Sequence, residues 1–178
     1  MGLSAAIAGG IMMTMISIML LMAIPAIVNA NVSMNHAYSE RVQLDTEYLR
    51  TSISISSLQA SPADDTVTIT VTNDGSGKLW NYQKFSLFIT YDAQVSPSQE
   101  ERRTEELVYQ GITQSVDAGK WGIDGFVDDG VDPRIVNPDE SFTIVCRLGY
   151  NITAAAGDLS AVISTDNGVT ATRSVVIS

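Results

Sequence analysis

Two hydrophobic periods, one following the other, predict an all-β sandwich carried behind a long N-terminal α-helix. Three observations lead there. From Leu3 to Val28 the chain runs 26 residues without a charged side chain. Beyond Arg50 the apolar residues fall at every second position, with Ser and Thr between them. Clusters rich in Asn, Asp, Gly and Pro separate these alternating runs, as turns between antiparallel strands require.

The first element is the apolar run, rich in Ile, Leu, Met and Ala. As a helix it would extend roughly 39 Å, more than the ~30 Å hydrocarbon core of a bilayer. Residues 1–30 are therefore expected to form an uncleaved transmembrane anchor, with Pro25 loosening its last turn. A cleaved secretory signal competes, and the small residues around Ala26 to Ala30 would suit it. Such a signal needs a cationic start and an apolar core of only about 7–15 residues. No Lys or Arg precedes this run. The first cations, Arg41 and Arg50, are mixed with Glu40, Asp45 and Glu47, so charge gives no orientation. An outward-facing C-terminal domain follows from its Thr/Ser-rich β character.

Gly2, Ala6 and Gly10 are four apart, a spacing that lets two helices approach closely in lipid. The Met residues lack any His, Cys or carboxylate beside them and read as packing or lipid-facing groups. No ionisable residue lies in the span, which argues against ion conduction by the helix.

Residues 31–50 continue in a helical pattern. Tyr38, Val42 and Leu49 recur near heptad spacing, and Leu44 and Tyr48 lie four apart, predicting a helical stalk able to pair with another copy. His36, the one histidine, has no second ligand nearby.

Residues 51–178 make the β domain. Ile53 and Ile55 alternate with Ser, and Val67, Ile69 and Val71 with Thr. Phe85, Leu87, Ile89 and Tyr91 form the next run, then Phe142, Ile144, Cys146 and Leu148, then Leu159, Ala161 and Ile163. The last runs from Val169 to Ile177. Such alternation marks half-buried antiparallel strands. Asn73-Asp74-Gly75-Ser76-Gly77, Asn137-Pro138-Asp139 and the hairpin signal Asp166-Asn167-Gly168 punctuate them. Seven or eight such strands predict an immunoglobulin-like β-sandwich. The charged segment Ser96 to Glu106 is expected to be a solvated loop.

With 10 Lys/Arg against 20 Asp/Glu the chain carries a formal charge of −10, all of it at or beyond Glu40. A surface this acidic repels nucleic acid and anionic headgroups. Cys146 is the only cysteine, so no intrachain disulfide forms, and its place in a strand predicts a buried thiol.

No catalytic set emerges: there is no nucleophile elbow, phosphate loop or zinc spacing, and neither catalysis nor a cofactor is expected. Asp124, Asp128, Asp129 and Asp132, in a Gly-containing loop, are candidate ligands for a hard cation, although their spacing does not fit an EF-hand. Asn31-Val32-Ser33 and Asn151-Ile152-Thr153 match the glycosylation acceptor pattern, with Asn151 the better placed. Trp80, Tyr82, Trp121 and Phe126, the largest side chains near turns, are either core or anchors of a protein interface.

Three stretches together resemble the archaellum (archaeal flagellum) accessory proteins of the FlaF/FlaG type. The opening Met1-Gly2-Leu3-Ser4-Ala5-Ala6-Ile7-Ala8 is similar to their uncleaved start. The helix then passes through a Tyr/Asp/Glu/Arg-rich stalk into Leu49-Arg50-Thr51-Ser52-Ile53-Ser54-Ile55. Val67 to Gly75, Phe85 to Asp92 and Asn137-Pro138-Asp139-Glu140 resemble the strand–turn–strand pattern of an archaellin-like β domain. The resemblance implies a protein of the cytoplasmic membrane whose β domain lies below the surface layer and holds the motor stationary against it. Its partners would be the S-layer protein and other archaellum components. The rival is a filament subunit, an archaellin or type IV pilin-like protein, whose identical copies pack their helices in a filament core. The absence of Lys or Arg before Gly2 favours the accessory reading.

Overall fold

The computed structural model describes residues 2–96, 98–153 and 157–177. The chain divides into two compact units, Met1–Asp45 and Thr46–Ser178.

The first unit is helical. Helix α1 spans Gly2–Arg50 and so also supplies the first residues of the second unit. Leu3, Ile11, Met12, Met15, Leu20 and Leu21 are all exposed, so the apolar surface runs round the helix and is not one stripe. A helix apolar on every side belongs in lipid or in the interior of a larger assembly. It is long and apolar enough to cross a membrane. Its hydroxyls turn back onto the backbone: Thr14 Oγ1 donates to the Ile11 carbonyl at 2.8 Å and Ser17 Oγ to that of Met13 at 2.9 Å. Apolar surroundings demand such internal satisfaction.

The second unit holds nine strands: β1 Ile53–Ser61, β2 Thr66–Asn73, β3 Ser86–Ser96, β4 Gln99–Ile112, β5 Lys120–Val127, β6 Ser141–Arg147, β7 Asn151–Ile152, β8 Asp158–Ser164 and β9 Thr170–Val176. They follow the order β1-β2-β6-β5-β4-β3-β8-β9, with the short β7 beside β3. β4 joins the two layers. Its first half pairs antiparallel with β3, Leu87 opposite Leu107, and its second half runs parallel to β5, Tyr109 opposite Trp121. At the far ends of the order, Arg173 of β9 donates to the carbonyls of Ile55 and Ser56 at 2.9 and 2.8 Å, tying β9 to β1.

Alternation explains the core. Val67, Ile69 and Val71 on β2 lie opposite Cys146, Ile144 and Phe142 on β6, and all six are fully buried. Leu87, Ile89 and Tyr91 of β3 meet them from the other layer, with Leu159, Ala161 and Ile163 of β8 alongside. The intervening Thr and Ser side chains face outward, and Thr72 Oγ1 lies 2.9 Å from Ser141 Oγ across the strand pair.

The charged segment expected as a loop is a strand. Gln99 to Glu106 form the first half of β4, most of them exposed. Charge does not oppose a strand whose outer face meets water and whose neighbours answer it. Arg102 pairs with Asp92 on β3 at 3.2 Å, and Thr90 bonds Thr104 at 2.8 Å.

Candidate interaction surface

The hinge of the site is the turn after β2. Asn73 is buried, and its amide donates to the carbonyls of Gly77 at 2.7 Å and Val136 at 3.1 Å, while its Oδ1 accepts the Gly75 N–H at 3.1 Å. One side chain thus fixes a tight turn whose own amides point at the last turn of α1. The Arg50 carbonyl, which a helix end leaves without a partner, accepts N–H bonds from Ser76 and Gly77, both at 2.9 Å. The turn between β8 and β9 grips the same helix end from a second side. Asn167 Nδ2 donates to Thr51 Oγ1 at 2.6 Å and to the Glu47 carbonyl at 3.3 Å.

Trp80 projects from this junction. It is 64% exposed. On one side it lines a cleft with Glu47, Arg50, Lys78 and Asn167. On the other it borders a groove with Tyr82, Tyr109, Ile112 and Arg134. Of the four aromatic candidates it alone is left exposed.

Of the other three aromatic candidates, Trp121 and Tyr82 take the first of the two roles expected for them and lie in the core, and Phe126 packs against it, so none of the three is an exposed anchor. Trp121 is fully buried, its ring 4.6 Å from that of Tyr109, because β5 turns it inward opposite Cys146. Tyr82 packs against Phe85, Phe126 and Phe142, and its hydroxyl donates to the Leu79 and Arg134 carbonyls at 2.9 and 3.1 Å. Burial raises its pKa well above the usual phenol value. Phe126 is partly buried against the same cluster. β5 escaped recognition because Gly122 and Gly125, with a bulge between Ile123 and Gly125, break the alternation. Gly122 is required there: an added Cβ would stand 2.9 Å from the Gly111 carbonyl oxygen and 3.1 Å from Val116 Cγ1.

The four aspartates do not converge. Asp124 is exposed on β5. Asp129 accepts the Arg134 N–H at 3.0 Å, and Asp132 pairs with Lys78. Asp128 and Asp132 hold positive φ of 62° and 55°, so these residues shape the loop. Among the described residues no group of three or more His, Cys, Asp or Glu is placed to hold a metal ion. Cys146 is buried and donates to the Val67 carbonyl at 3.3 Å, and burial pushes its thiol up to about 12. A thiol so placed is inert.

Asn151 is exposed on β7, beside Gln94 of β3. Gly10 is open to a close neighbour, with nothing within 4 Å of an added Cβ. What surrounds Gly2 and Ala6, which complete that spacing, lies outside what the structure describes.

Helix, layered sheet and gripped junction define a class: an immunoglobulin-like β domain borne on a long apolar helix. Residues 49–174 match the family model of conserved flagellar protein F, immunoglobulin-like domain, and the chain belongs to that family. The FlaF/FlaG resemblance read from the sequence is therefore correct. In fold it is similar to the archaellum periplasmic stator protein complex FlaF and FlaG from Sulfolobus acidocaldarius. That match has 13% identity and a TM-score of 0.50, covering 69% of this chain and 87% of that one. The archaellum periplasmic stator protein FlaG from the same organism matches at 15% identity and a TM-score of 0.49, over 70% of this chain and 99% of that one. No curated protein matches the chain.

Proposed function

We propose that this chain is a non-enzymatic, membrane-anchored stator-type component of the archaeal motility machinery. Residues 1–30 form its transmembrane anchor, 31–50 a helical stalk, and 51–178 the β-sandwich. The anchor holds the chain in the cytoplasmic membrane with the domain outside it, where the domain binds the S-layer and fixes the motor against rotation. A rotating filament needs a stationary point of reaction, and an anchored adhesive domain supplies one.

The observation that carries this reading is family membership over residues 49–174, joined to a helix apolar on every side. The Sulfolobus complex, in which FlaF and FlaG stand together as periplasmic stator proteins, supports partners among archaellum components for this chain too. No observation favours the filament-subunit alternative. The test uses full-length chain in lipid nanodiscs, sedimented with isolated S-layer sheets, together with fractionation of cells into membranes and filaments. The expected result is co-sedimentation and retention in the membrane fraction. Recovery mainly in purified filaments, or no S-layer binding, would reject the proposal.

A further inference from the structure

β4 leaves an open edge. β3 pairs with it from Gln99 to Leu107 and no further. From Val108 onward β4 is paired only with β5, on its other side. Among the described residues no strand takes up Val108–Ile112 on the side that β3 has left. Beside that edge runs the turn Tyr82–Lys84, and the space between them is a groove. Tyr109 contributes to its wall, and Tyr82 lies beneath. Val108, 64% exposed, Ile112, 46% exposed, and Trp80 form its apolar rim. Isolated exposed apolar residues are ordinary on a protein surface, but a contiguous set along an unpaired edge marks a place for a partner.

The charge of the groove is unlike that of the chain. Acids outnumber bases two to one in the sequence. Yet among the described residues the lining itself contains no carboxylate: Asn81, Gln83 and Gln110 are its neutral polar groups and Arg134 its charge. The nearest acids, Asp166 at 3.3 Å from the Asn81 amide and Asp129 at 3.0 Å from the Arg134 N–H, stand behind it. Lys84 follows directly on Gln83 and is exposed. Among the described residues neither Arg134 nor Lys84 forms an ion pair. A basic, apolar slot on an acidic protein selects for an acidic, apolar partner. A two-fold pairing of the groove with itself would bring Arg134 and Lys84 of both copies together, which opposes a second copy as occupant.

We infer that the edge of β4 from Val108 to Ile112 is a docking site for an extended, apolar segment of another protein that carries an acidic residue. The segment lies along the edge with alternate side chains set against Tyr109 and Ile112 and its carboxylate at Arg134. Val108 to Ile112 covers about 13 Å at ~3.3 Å per residue, room for four or five residues of extended chain. The bulge between Tyr109 and Gly111 twists the edge and keeps the contact short. This inference does not depend on what the domain anchors to.

The test uses full-length chain in nanodiscs and two fluorescein-labelled heptapeptides of alternating Val and Thr, one ending in Glu at both termini and one in Lys. Anisotropy should show saturable binding of the Glu peptide, at least about tenfold tighter than the Lys peptide. Arg134→Glu should abolish or invert that preference, and Val108→Asp should weaken both peptides; both positions are exposed, so both variants keep the fold. Equal affinity for the two peptides, no saturable binding up to millimolar peptide, or binding unchanged in both variants would overturn the inference. So would sedimentation equilibrium showing a dimer of the chain that Val108→Asp dissolves, since that outcome assigns the edge to a second copy.

Discussion

Gly75 lies so close to Arg50 that a Cβ on it would stand 2.5 Å from the Arg50 carbonyl oxygen and 2.6 Å from the Ser52 nitrogen. The neighbouring Ser76 and Gly77 amides both bind that same oxygen. The last turn of α1 is thereby seated on the turn after β2, and the seat exists only because a side chain is missing.

Gly75→Ala should therefore unseat the junction. Backbone, not a flexible side-chain end, would meet the new methyl group, so the turn must move and the Ser76 and Gly77 bonds to Arg50 lengthen. Overpacking of this kind costs about 1–3 kcal/mol. Urea unfolding followed by the β-sheet circular dichroism of the nanodisc-held chain should show a lower midpoint at an unchanged slope. A wild-type midpoint would mean that the turn is not held against the helix end.

Asn73→Ala tests the same seat from beneath. Three hydrogen bonds end on this buried side chain, and its loss strands the Gly77 carbonyl and the Gly75 amide, while the Val136 carbonyl keeps the Leu79 N–H at 2.9 Å. Each buried group left without a partner costs about 1–3 kcal/mol. The loss should exceed that of Thr72→Ala, whose hydroxyl sits at a half-exposed cross-strand contact. Comparing the two urea midpoints checks the order.

The two tryptophans should behave oppositely. Trp121→Ala empties a fully buried site against Tyr109 and should cost about 3–5 kcal/mol. Trp80→Ala removes a mostly exposed ring and should stay within about 0.5 kcal/mol. If Trp80 anchors a partner, its substitution lowers binding and leaves the unfolding midpoint where it was. Measuring stability and S-layer co-sedimentation on one preparation separates the two effects.

High pH should weaken the domain through Cys146. Burial holds the folded thiol at about 12 against an ordinary 9.0. The folded state thus keeps a proton that the unfolded state gives up. The stabilisation is complete below pH 9 and is lost as pH rises toward 12. Tyr82 and Tyr91 are raised by burial as well, Tyr91 also through its hydrogen bond to Glu105, and act in the same direction above about pH 10. Urea midpoints from about pH 7 to 11 should fall, and Cys146→Ala should fall less steeply over the thiol's range. An identical decline in both proteins would dismiss the thiol's part.

Calcium should leave the domain's melting temperature unchanged. Asp132 is engaged by Lys78 and Asp129 by the Arg134 amide, so two of the four carboxylates are turned to other partners, and among the described residues no three acids stand together as a hard cation needs. A rise in melting temperature at millimolar calcium would reopen the site.

The helix and the central strands could be read directly because each carries a regular period. Val67 to Val71 and Phe142 to Leu148 alternate without interruption, and alternation alone decides which side chains enter the core. The same holds for Leu3 to Val28, where the lack of any charge makes water a poor surrounding whatever the rest of the chain does. β4 and β5 were illegible for complementary reasons. The first half of β4 has both faces near solvent and so shows no apolar period, while glycines and a bulge scramble that of β5.

Local sequence thus determined an apolar helix followed by alternating strands, because both follow from short-range periodicity. Only the tertiary structure decided that Trp121 is core while Trp80 is surface, and that Gly75 lies against Arg50. It also decided that β4 crosses from one layer to the other and leaves an edge without a neighbour. Those outcomes depend on which strands meet, and pairing between distant segments is settled by how the layers pack.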